Sequence, residues 1–438
     1  MSKTDGTSAD VVVVGSGLAG LTAAATAARA GKSVALFERS RELGGRAATQ
    51  NEGGFLFNVG PHALYRRGAA TSILAELGVT YSGKPPGVSG GFAVDGGKRH
   101  TLPVGFVSLI TTSLLRLPAK FELARLLNGL ARLESESLQH LTVNEWLARS
   151  IRNEEVRSFL RAIVRLTTYV NDPDRLSAGF AVHQLQLAFG SGVIYLDGGW
   201  QTLVEGLRRV ATQLGVRIQP QAKVESVEAD DAVRGVRLTS GERFDANAVV
   251  LTGGPAEVSA LVRQGNHLPL RRWVNEAIAV RAACLDVGLS QLPQERNTFA
   301  LGIDRPLYLS VHSAYARLGD DGTATIHVAK HLPTNDETDT RMVERELEGL
   351  LDLIQPGWRP HVRQRRFLPR MTVTHYLPTA AGGGTQARPE VEVGGIANLF
   401  VAGDWVGPKG HLADAALASG KRAGQLASGA RAMSAAAA

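Results

Sequence analysis

A chain of 438 residues is long enough to form two intertwined domains around a large hydrophobic core. Hydrophobic residues make up 44% and charged residues 20% of the sequence, which is typical of a soluble globular protein and compatible with the cytoplasm. The formal net charge is +7, but the positive side chains are scattered and form no block, which argues against nucleic-acid binding. The single cysteine, Cys284, excludes an internal disulfide and a cysteine metal cluster, and we predict no metal site.

A strand, a glycine-rich turn and a helix open the chain and predict a dinucleotide site. Val11–Val14 form a run of β-branched residues that is typical of a strand buried on both faces. The helix is predicted from Leu18 to Ala30, and the free N–H groups at its N-terminus favour a phosphate. The residues predicted to carry the pyrophosphate are Gly15, Ser16, Gly17, Leu18, Ala19 and Gly20.

Glu38 ends the second predicted strand, at the distance from the glycines where a carboxylate accepts hydrogen bonds from a ribose. We include its neighbour Arg39 in the predicted cofactor site. Gly44 and Gly45 then add a second flexible backbone stretch, and Arg46 adds a cation at the diphosphate. An NAD site does not need this second clamp, so the series of motifs favours another dinucleotide.

These motifs resemble the FAD-binding segment of the flavin amine oxidase superfamily, which includes monoamine and polyamine oxidases, protoporphyrinogen oxidases and phytoene desaturases. The turn formed by Gly60, Pro61 and His62 is similar to the family's next element, which runs beside the isoalloxazine ring. Residues 198–203, Gly-Gly-Trp-Gln-Thr-Leu, are similar to the point where such chains return to the FAD domain. The resemblance implies a tightly held, non-covalent FAD, with the backbone of Val224 pairing with the adenine.

The last informative stretch is again a strand, a glycine turn and a helix of small residues, and it resembles the C-terminal FAD motif of the same superfamily. By this match, Gly403 and Asp404 bind the ribityl and diphosphate region. The backbone of Leu412 and Ala413 would stabilise negative charge on the reduced flavin. The family's motif often has Gly-Tyr or Gly-Met where this chain has His411 and Leu412, and the missing aromatic side chain counts against a monoamine-oxidase-type site.

The predicted fold is α/β, with a Rossmann-type FAD-binding domain and an inserted α+β substrate domain, as in amine oxidases and phytoene desaturases. We assign residues 1–68, 195–265 and 390–438 to the FAD-binding domain. The substrate domain comprises residues 69–194, which are mostly helical, and residues 266–389, whose patterns predict an antiparallel floor of strands.

Segment 101–133 is predicted to contain helices that either pack within their own domain or face a membrane. Residues 101–115 are uncharged and apolar, but they are too few to span a bilayer. One helical stripe is formed by Leu123, Leu126, Leu127, Leu130 and Leu133. On the second interpretation this surface makes peripheral contact with lipid and admits an apolar substrate.

Two residues are candidates for the proton chemistry that accompanies electron transfer to a flavin. A lysine acting through water is a recurrent feature of the amine-oxidising relatives, and Lys330 is the candidate here, at the end of a predicted strand. His62 is the second candidate, because its turn resembles the one along the flavin ring. Further candidates for the pocket wall are Tyr195, Tyr308, His375 and Tyr376.

The leading hypothesis is an FAD-dependent oxidoreductase that desaturates, oxidises or isomerises an apolar small molecule of polyene or isoprenoid type. It rests on the resemblance of segment 198–203 and strand 306–310 to the phytoene-desaturase-like branch. One alternative is an amine or protoporphyrinogen-type oxidase that uses oxygen. Another is a protein that keeps FAD as a structural ligand and acts as a partner-binding subunit. The sequence carries no indication of the oligomeric state.

Overall fold

The computed structural model describes residues 7–87, 91–262, 267–335 and 338–430, and two seven-stranded sheets organise this part of the chain. The first sheet has a parallel centre, because the β-branched strand Ser8–Val14 is covered on both faces and lies between two parallel neighbours. In spatial order its strands are Arg217–Gln219, Val34–Phe37, Ser8–Val14, Arg243–Leu251, Val233–Leu238 and Val224–Ala229, with Leu399–Val401 paired in parallel to Arg243–Leu251.

Two helices of small residues pack directly on each other against this sheet. They are the N-terminal helix Leu18–Arg29 and the C-terminal helix Ala413–Gly429. A Cβ atom at Gly420 would overlap the carbonyl oxygen of Ala19, and one at Gly424 would overlap that of Ala23. The absence of a side chain at these two positions therefore sets the distance between the two helices.

The second sheet is mostly antiparallel and forms the floor of the inserted part of the chain. Its strands, in spatial order, are Val362–Thr374, Val280–Leu289, Ala324–His331, Leu307–Val311, Phe299–Gly302, Gly91–Asp95 and Lys98–Thr101. The amphipathic helix Thr340–Ile354 covers one face of this sheet with Val343, Leu347 and Leu350. The other face turns towards the glycine turn at residue 60, because Met371 on the edge strand contacts Gly60.

Further helices fill the inserted part and flank the first sheet. They are Ala69–Leu77, Phe106–Thr111, Leu117–Gly129, Val143–Ser150, Glu154–Thr168, Ala178–Gly190, Gln201–Gln213, Pro255–Leu261 and Leu268–Glu276. Shorter strands complete the structure: Thr49–Glu52 with Phe55–Asn58, and Leu64–Tyr65 and Gly83–Lys84 on either side of Val193–Leu196. None of the helices in the described residues combines the length and the apolar character that crossing a bilayer requires.

The architecture confirms the predicted α/β fold, and the elements differ from the prediction in detail. The helix predicted from Leu18 to Ala30 ends at Arg29. Arg243–Leu251 is one long strand, because its first residues pair with one neighbour and its last residues with others. The domain boundary predicted between 265 and 266 lies outside the described residues, and the helix Leu268–Glu276 packs on the core of the first sheet.

Candidate cofactor and active site

The glycine turn after the first strand allows close approach of a phosphate. Gly15 has a φ of +99°, in the left-handed region that favours glycine. A Cβ atom at Gly20 would overlap the carbonyl oxygen of Gly15, so glycine is needed for the first helix to pack this close. Gly17 is the N-cap, and no side chain among the described residues caps the helix, so its first N–H groups are available to an anion.

Glu38 lies beside this turn, at the end of the second strand. Its Oε2 accepts hydrogen bonds from the backbone N–H of Ser16, at 2.9 Å, and from the Ser16 hydroxyl, at 2.7 Å. Its Oε1 accepts one from the Ser40 N–H at 2.8 Å. The carboxylate is therefore fixed next to the phosphate turn, where the sequence predicts the ribose.

Val224 and Arg39, two further residues of the predicted cofactor site, lie on different sides of Glu38. Val224 is buried and close, because the Ala222 N–H donates to the Glu38 carbonyl at 2.8 Å and Val224 follows two residues later. Arg39 points to the surface instead, where it pairs with Glu257 at 3.0 Å and its side chain is 65% exposed. The geometry therefore gives no support to the predicted role of Arg39 in cofactor binding.

Arg46 and Asp404 are 358 positions apart in the sequence and form an ion pair with 2.6 Å between Nη1 and Oδ2. Arg46 also donates to the Val373 carbonyl, and Nδ1 of His375 lies 3.2 Å from the other oxygen of Asp404. Burial alone would raise the pKa of Asp404, but Arg46 and His375 hold it well below its usual value. The structure thus joins the Gly-Gly-Arg motif and the Gly-Asp motif into one charged site.

The C-terminal helix begins beside this pair with an unusual backbone conformation. Leu412, its N-cap, has a φ of +51°, which is rare for a residue other than glycine. Ser419 within the helix accepts a hydrogen bond from the Gly403 N–H at 3.0 Å, and this contact fixes the turn that carries Asp404. No side chain among the described residues caps Ala413, so the helix N-terminus is available to a negatively charged group.

Arg388, which no sequence motif had singled out, is a buried cation at this N-terminus. Its Nη1 donates to the Gly410 carbonyl at 2.9 Å, and its guanidinium lies 5.1 Å from the centre of the Tyr376 ring. Nε and Nη2 are buried and have no partner within the described residues, and burial lowers the pKa of Arg388 to about 10. A buried guanidinium needs an acceptor, so these atoms fit a ligand with carbonyl or anionic oxygens, as FAD has.

His62 lies in the turn that begins at Gly60, as the sequence predicts. Its Nδ1 donates to the Gly60 carbonyl at 2.9 Å, and its ring centre lies 4.7 Å from that of Trp200. Tyr169 holds the same turn by donating to the Pro61 carbonyl at 2.9 Å. Burial lowers the pKa of His62 to about 4, so the imidazole is neutral at neutral pH.

Lys330 does not face this turn. The prediction that it transfers a proton at the flavin is therefore corrected by the structure. The side chain pairs with Glu346 on the helix Thr340–Ile354. Side chains alternate along a strand, so Lys330 shares its face with Val328, which packs in the core beneath that helix. The neighbouring side chain of His327 points to the opposite face, towards the turn at Gly60.

A buried polar cluster on that face includes residues that the sequence interpretation missed. His327 and Asp286 form a hydrogen bond of 2.6 Å, and Arg366 pairs with the same carboxylate. Cys284 is buried, and its thiol donates to Asp286 at 3.0 Å. The available signal was the charged Asp286 at the centre of an apolar strand, since a buried charge requires a partner.

The four residues predicted to form the pocket wall lie in two separate groups. Tyr195 belongs to the polar cluster, because its hydroxyl lies 3.3 Å from that of Tyr308 and 3.1 Å from that of Ser310. His375 and Tyr376 belong to the other part, where they contact Asp404 and Arg388. The structure therefore places Tyr195 and Tyr308 in the polar cluster and His375 and Tyr376 beside Asp404 and Arg388.

Three features of the structure define the class of FAD-dependent oxidoreductases. They are a parallel sheet with a glycine turn at its centre, a carboxylate after the second strand, and a second binding element formed by Arg46 and Asp404. The described residues fit that cofactor, since the free helix N-termini and Arg388 leave donors for its oxygens.

A profile of the flavin-containing amine oxidoreductases matches residues 18–283, which is more than half of the chain, and the chain belongs to this family. Membership confirms the predicted resemblance, the FAD cofactor and the enzyme class.

Similar proteins lie in more than one branch of the family. The chain is 26% identical over 278 residues to phytoene desaturase from Cercospora nicotianae, covering 55% of this chain and 44% of that protein. It is 23% identical over 304 residues to 4,4'-diapolycopen-4-al dehydrogenase from Metabacillus indicus, covering 62% and 60%. The chain thus spans about half the length of the curated relatives it matches. Cyclohexylamine oxidase from Brevibacterium oxydans IH-35A shares the fold, with a TM-score of 0.72 and 18% identity over 96% of this chain and 99% of that one.

Proposed function

We propose that the protein desaturates, oxidises or isomerises an apolar molecule of polyene or isoprenoid type at bound FAD. The observation that carries this proposal is an apolar surface on the inserted part of the chain, in which five large side chains are 57% to 79% exposed. We call it the apolar patch, and it consists of Phe106, Val107, Ile110, Leu117 and Phe121. Phytoene desaturase and 4,4'-diapolycopen-4-al dehydrogenase, both named for polyene substrates, support the same substrate class.

The apolar patch has the composition of a surface that contacts lipid. The apolar patch lies on the helices Phe106–Thr111 and Leu117–Gly129. Lys120 joins the two helices, because its ammonium donates to the Ile110 carbonyl at 2.6 Å. Exposed aromatic and aliphatic side chains next to cations such as Arg116 and Lys120 suit the boundary between anionic headgroups and acyl chains. In this proposal the apolar patch rests on a membrane, and the apolar substrate enters the protein from the lipid.

Bound FAD supplies the oxidising capacity, since its ring accepts two electrons and one hydrogen from a substrate C–H bond. The described residues hold and orient it. The glycine turn and Arg46 bind the diphosphate, Glu38 binds the ribose, and the N-terminus of the C-terminal helix with Arg388 stabilises negative charge on the reduced ring.

An amine oxidase is the second candidate, and the family description and the shared fold of cyclohexylamine oxidase favour it. Two features of the site oppose it. Arg388 is a buried cation that repels an ammonium group, and the position that often holds tyrosine in the family is Leu412. The aliphatic side chain of Leu412 supplies no ring for an amine-binding aromatic cage.

Anaerobic reduction of the flavin tests the substrate class. We expect lipophilic polyenes to bleach the flavin absorbance of the purified protein, whereas amines leave it unchanged. Bleaching by amines, with release of peroxide on admission of oxygen, would establish the amine oxidase instead. A flavin that dithionite reduces but that neither substrate class bleaches would favour the non-catalytic alternative.

Liposome flotation tests the apolar patch. We expect the protein to float with anionic liposomes at low salt, and the double variant Phe106→Ser, Phe121→Ser to remain at the bottom. Leu268→Ser is the matched control, because Leu268 is 76% exposed but lies on a helix that packs on the first sheet. A double variant that floats as well as the parent would contradict the lipid contact.

A further inference from the structure

The buried polar cluster lies on the sheet face opposite Lys330. Strands Val280–Leu289 and Ala324–His331 pair so that Asp286 lies directly across from His327. Nδ1 of His327 is 2.6 Å from Oδ1 of Asp286, and neither side chain has any exposed surface. A hydrogen bond this short between buried groups fixes both the position and the orientation of the imidazole.

Asp286 is saturated by hydrogen-bond donors. Oδ1 accepts from the Cys284 thiol at 3.0 Å and from His327, and Oδ2 accepts from Nε and Nη2 of Arg366 at 3.0 and 2.6 Å. Burial would raise the pKa of Asp286, but His327 and Arg366 lower it below its usual value, so the group is an ionised carboxylate. Arg366 donates two hydrogen bonds to Oδ2 of Asp286, so this oxygen is not free to bind a metal ion. Cys284, Asp286 and His327 therefore form a hydrogen-bond network and not a metal site, although their ligand atoms lie within 4.8 Å of one another.

The carboxylate also determines which nitrogen of His327 is free. An ionised Asp286 can only accept, so Nδ1 carries the proton and Nε2 carries a lone pair. Nε2 is buried and has no partner among the described residues. An unsatisfied buried acceptor costs ~1–3 kcal/mol, so a donor from outside the chain is needed to complete this site.

The position of the cluster connects it with the predicted flavin. Cys284 packs against Met371, and Met371 contacts Gly60 at the turn that resembles the one beside the isoalloxazine ring. Arg366 donates to the carbonyl of Asn58, two residues before Gly60. The cluster therefore lies beside this turn.

We propose that His327 accepts the proton that the substrate loses when it is oxidised, with Asp286 and Arg366 as positioning residues. This inference rests on the proposed function. One C–H bond of the substrate would break with transfer of a hydride to FAD, the proton of the neighbouring C–H bond would pass to Nε2 of His327, and the electron pair of that second bond would form the new double bond. The imidazolium that results is paired with Asp286, whose charge Arg366 balances in the resting state.

Other groups around this imidazole are less suited to accept the proton. Those that face it or its immediate neighbours are Asp286, Cys284, Arg366, His312, His62 and Tyr195. Burial holds the pKa of His312 well below its usual value, and Nδ1 of His62 is engaged with the Gly60 carbonyl. Neither of these two histidines has a carboxylate hydrogen-bonded to it among the described residues, whereas His327 has.

The test compares reduction of the flavin by two reductants in the FAD-loaded protein. Dithionite supplies electrons without C–H cleavage, so we expect parent and His327→Gln to be reduced by it at the same rate. Reduction by the polyene should be at least about a hundredfold slower in His327→Gln. His100→Gln is the control, because His100 lies on an outer strand of the same sheet. Polyene reduction of His327→Gln at the parent's rate would overturn the proposal.

Nitrogen NMR of the histidines gives a second readout that does not require the substrate. We expect His327 in the holoprotein to show a protonated Nδ1 and an unprotonated Nε2, and Asp286→Asn to change this pattern. A protonated Nε2 in the parent would overturn the inference. A parent that is reduced by dithionite but by no polyene would contradict the proposed function alone, and the NMR result would then still decide the tautomer of His327.

Discussion

Asp404 connects three segments that are far apart in the sequence. It is buried, it is ionised, and its partners Arg46 and His375 come from two other segments. The ion pair itself contributes modestly, because the Arg46 side chain is 43% exposed and solvent screens it. Its main role is to fix the direction of the charged groups that meet the cofactor.

Removal of this carboxylate should weaken FAD binding. We expect Asp404→Ala to raise the Kd of FAD about tenfold to a hundredfold, since one hydrogen bond to a charged group contributes ~1.5–3 kcal/mol. Titration of the apoprotein with FAD, followed by flavin fluorescence, measures this. Arg272→Ala removes an exposed ion pair with Glu276 and serves as the control. An Asp404→Ala protein that holds FAD as tightly as the parent would show that the carboxylate is outside the site.

Arg388 should influence the redox properties of the cofactor. Its buried charge lies beside the turn that leads into the C-terminal helix, so it favours the reduced and negatively charged flavin. We expect Arg388→Met to lower the reduction potential of FAD by tens of millivolts, where about 30 mV corresponds to ~1.4 kcal/mol in a two-electron couple. Arg388→Lys should retain most of the parent's potential in spectroelectrochemical titration. Equal potentials in all three proteins would place Arg388 away from the ring.

At the scale of elements, the contact between the N-terminal and C-terminal helices depends on glycine. Gly424 has no space for a Cβ atom, whereas Gly349, on the exposed face of the helix Thr340–Ile354, has nothing within 4 Å of that position. We expect Gly424→Ala to destabilise the protein by ~1–3 kcal/mol through overpacking. The same substitution at Gly349 should stabilise it by about 0.5–1 kcal/mol, because alanine favours a helix. Thermal unfolding of the two variants should shift in opposite directions, and equal shifts would contradict the close packing.

The sequence was most informative for elements whose pattern is local. The strand before Gly15, the helix after it and the small-residue helix after Asp404 follow from periodicity and glycine spacing alone. The face on which Lys330 lies could not be predicted from the sequence. Side chains alternate between the two faces of a strand, and only the elements packed on each face decide which one meets the flavin. The partners of Asp286 and Arg388 were equally out of reach, since they come from other strands and loops that local patterns do not bring together.

At the scale of the whole molecule, buried neutral histidines make the stability depend on pH. Burial lowers the pKa of His62 to about 4, of His331 to about 3 and of His411 to about 4. In the unfolded chain each has a pKa of about 6.5 and binds a proton more readily. Their contribution to stability is therefore present above about pH 6.5 and is lost as the pH falls towards 4.

We expect the urea midpoint of the protein to be lower at pH 5 than at pH 7. Each histidine contributes up to ~1.4 kcal/mol per pH unit over this window. Asp414 opposes the trend, because burial raises its pKa to about 6 and its protonation favours the folded state at low pH. Asp414→Asn should therefore be more sensitive to acid than the parent. Identical midpoints of the parent at pH 5 and pH 7 would contradict the assignment of three neutral, buried histidines.

The helix contact at Gly420 and Gly424 also has a consequence for the order in which the protein is assembled during synthesis. Residues 413–429 cover the face of the N-terminal helix that packs there, and Arg46 cannot form its ion pair before residue 404 has been made. A ribosome that has produced the first three hundred and fifty residues or so therefore presents an incomplete nucleotide domain with an apolar helix face in water. Cofactor binding consequently depends on segment 404–429, and docking of the helix Ala413–Gly429 is the step that completes the site.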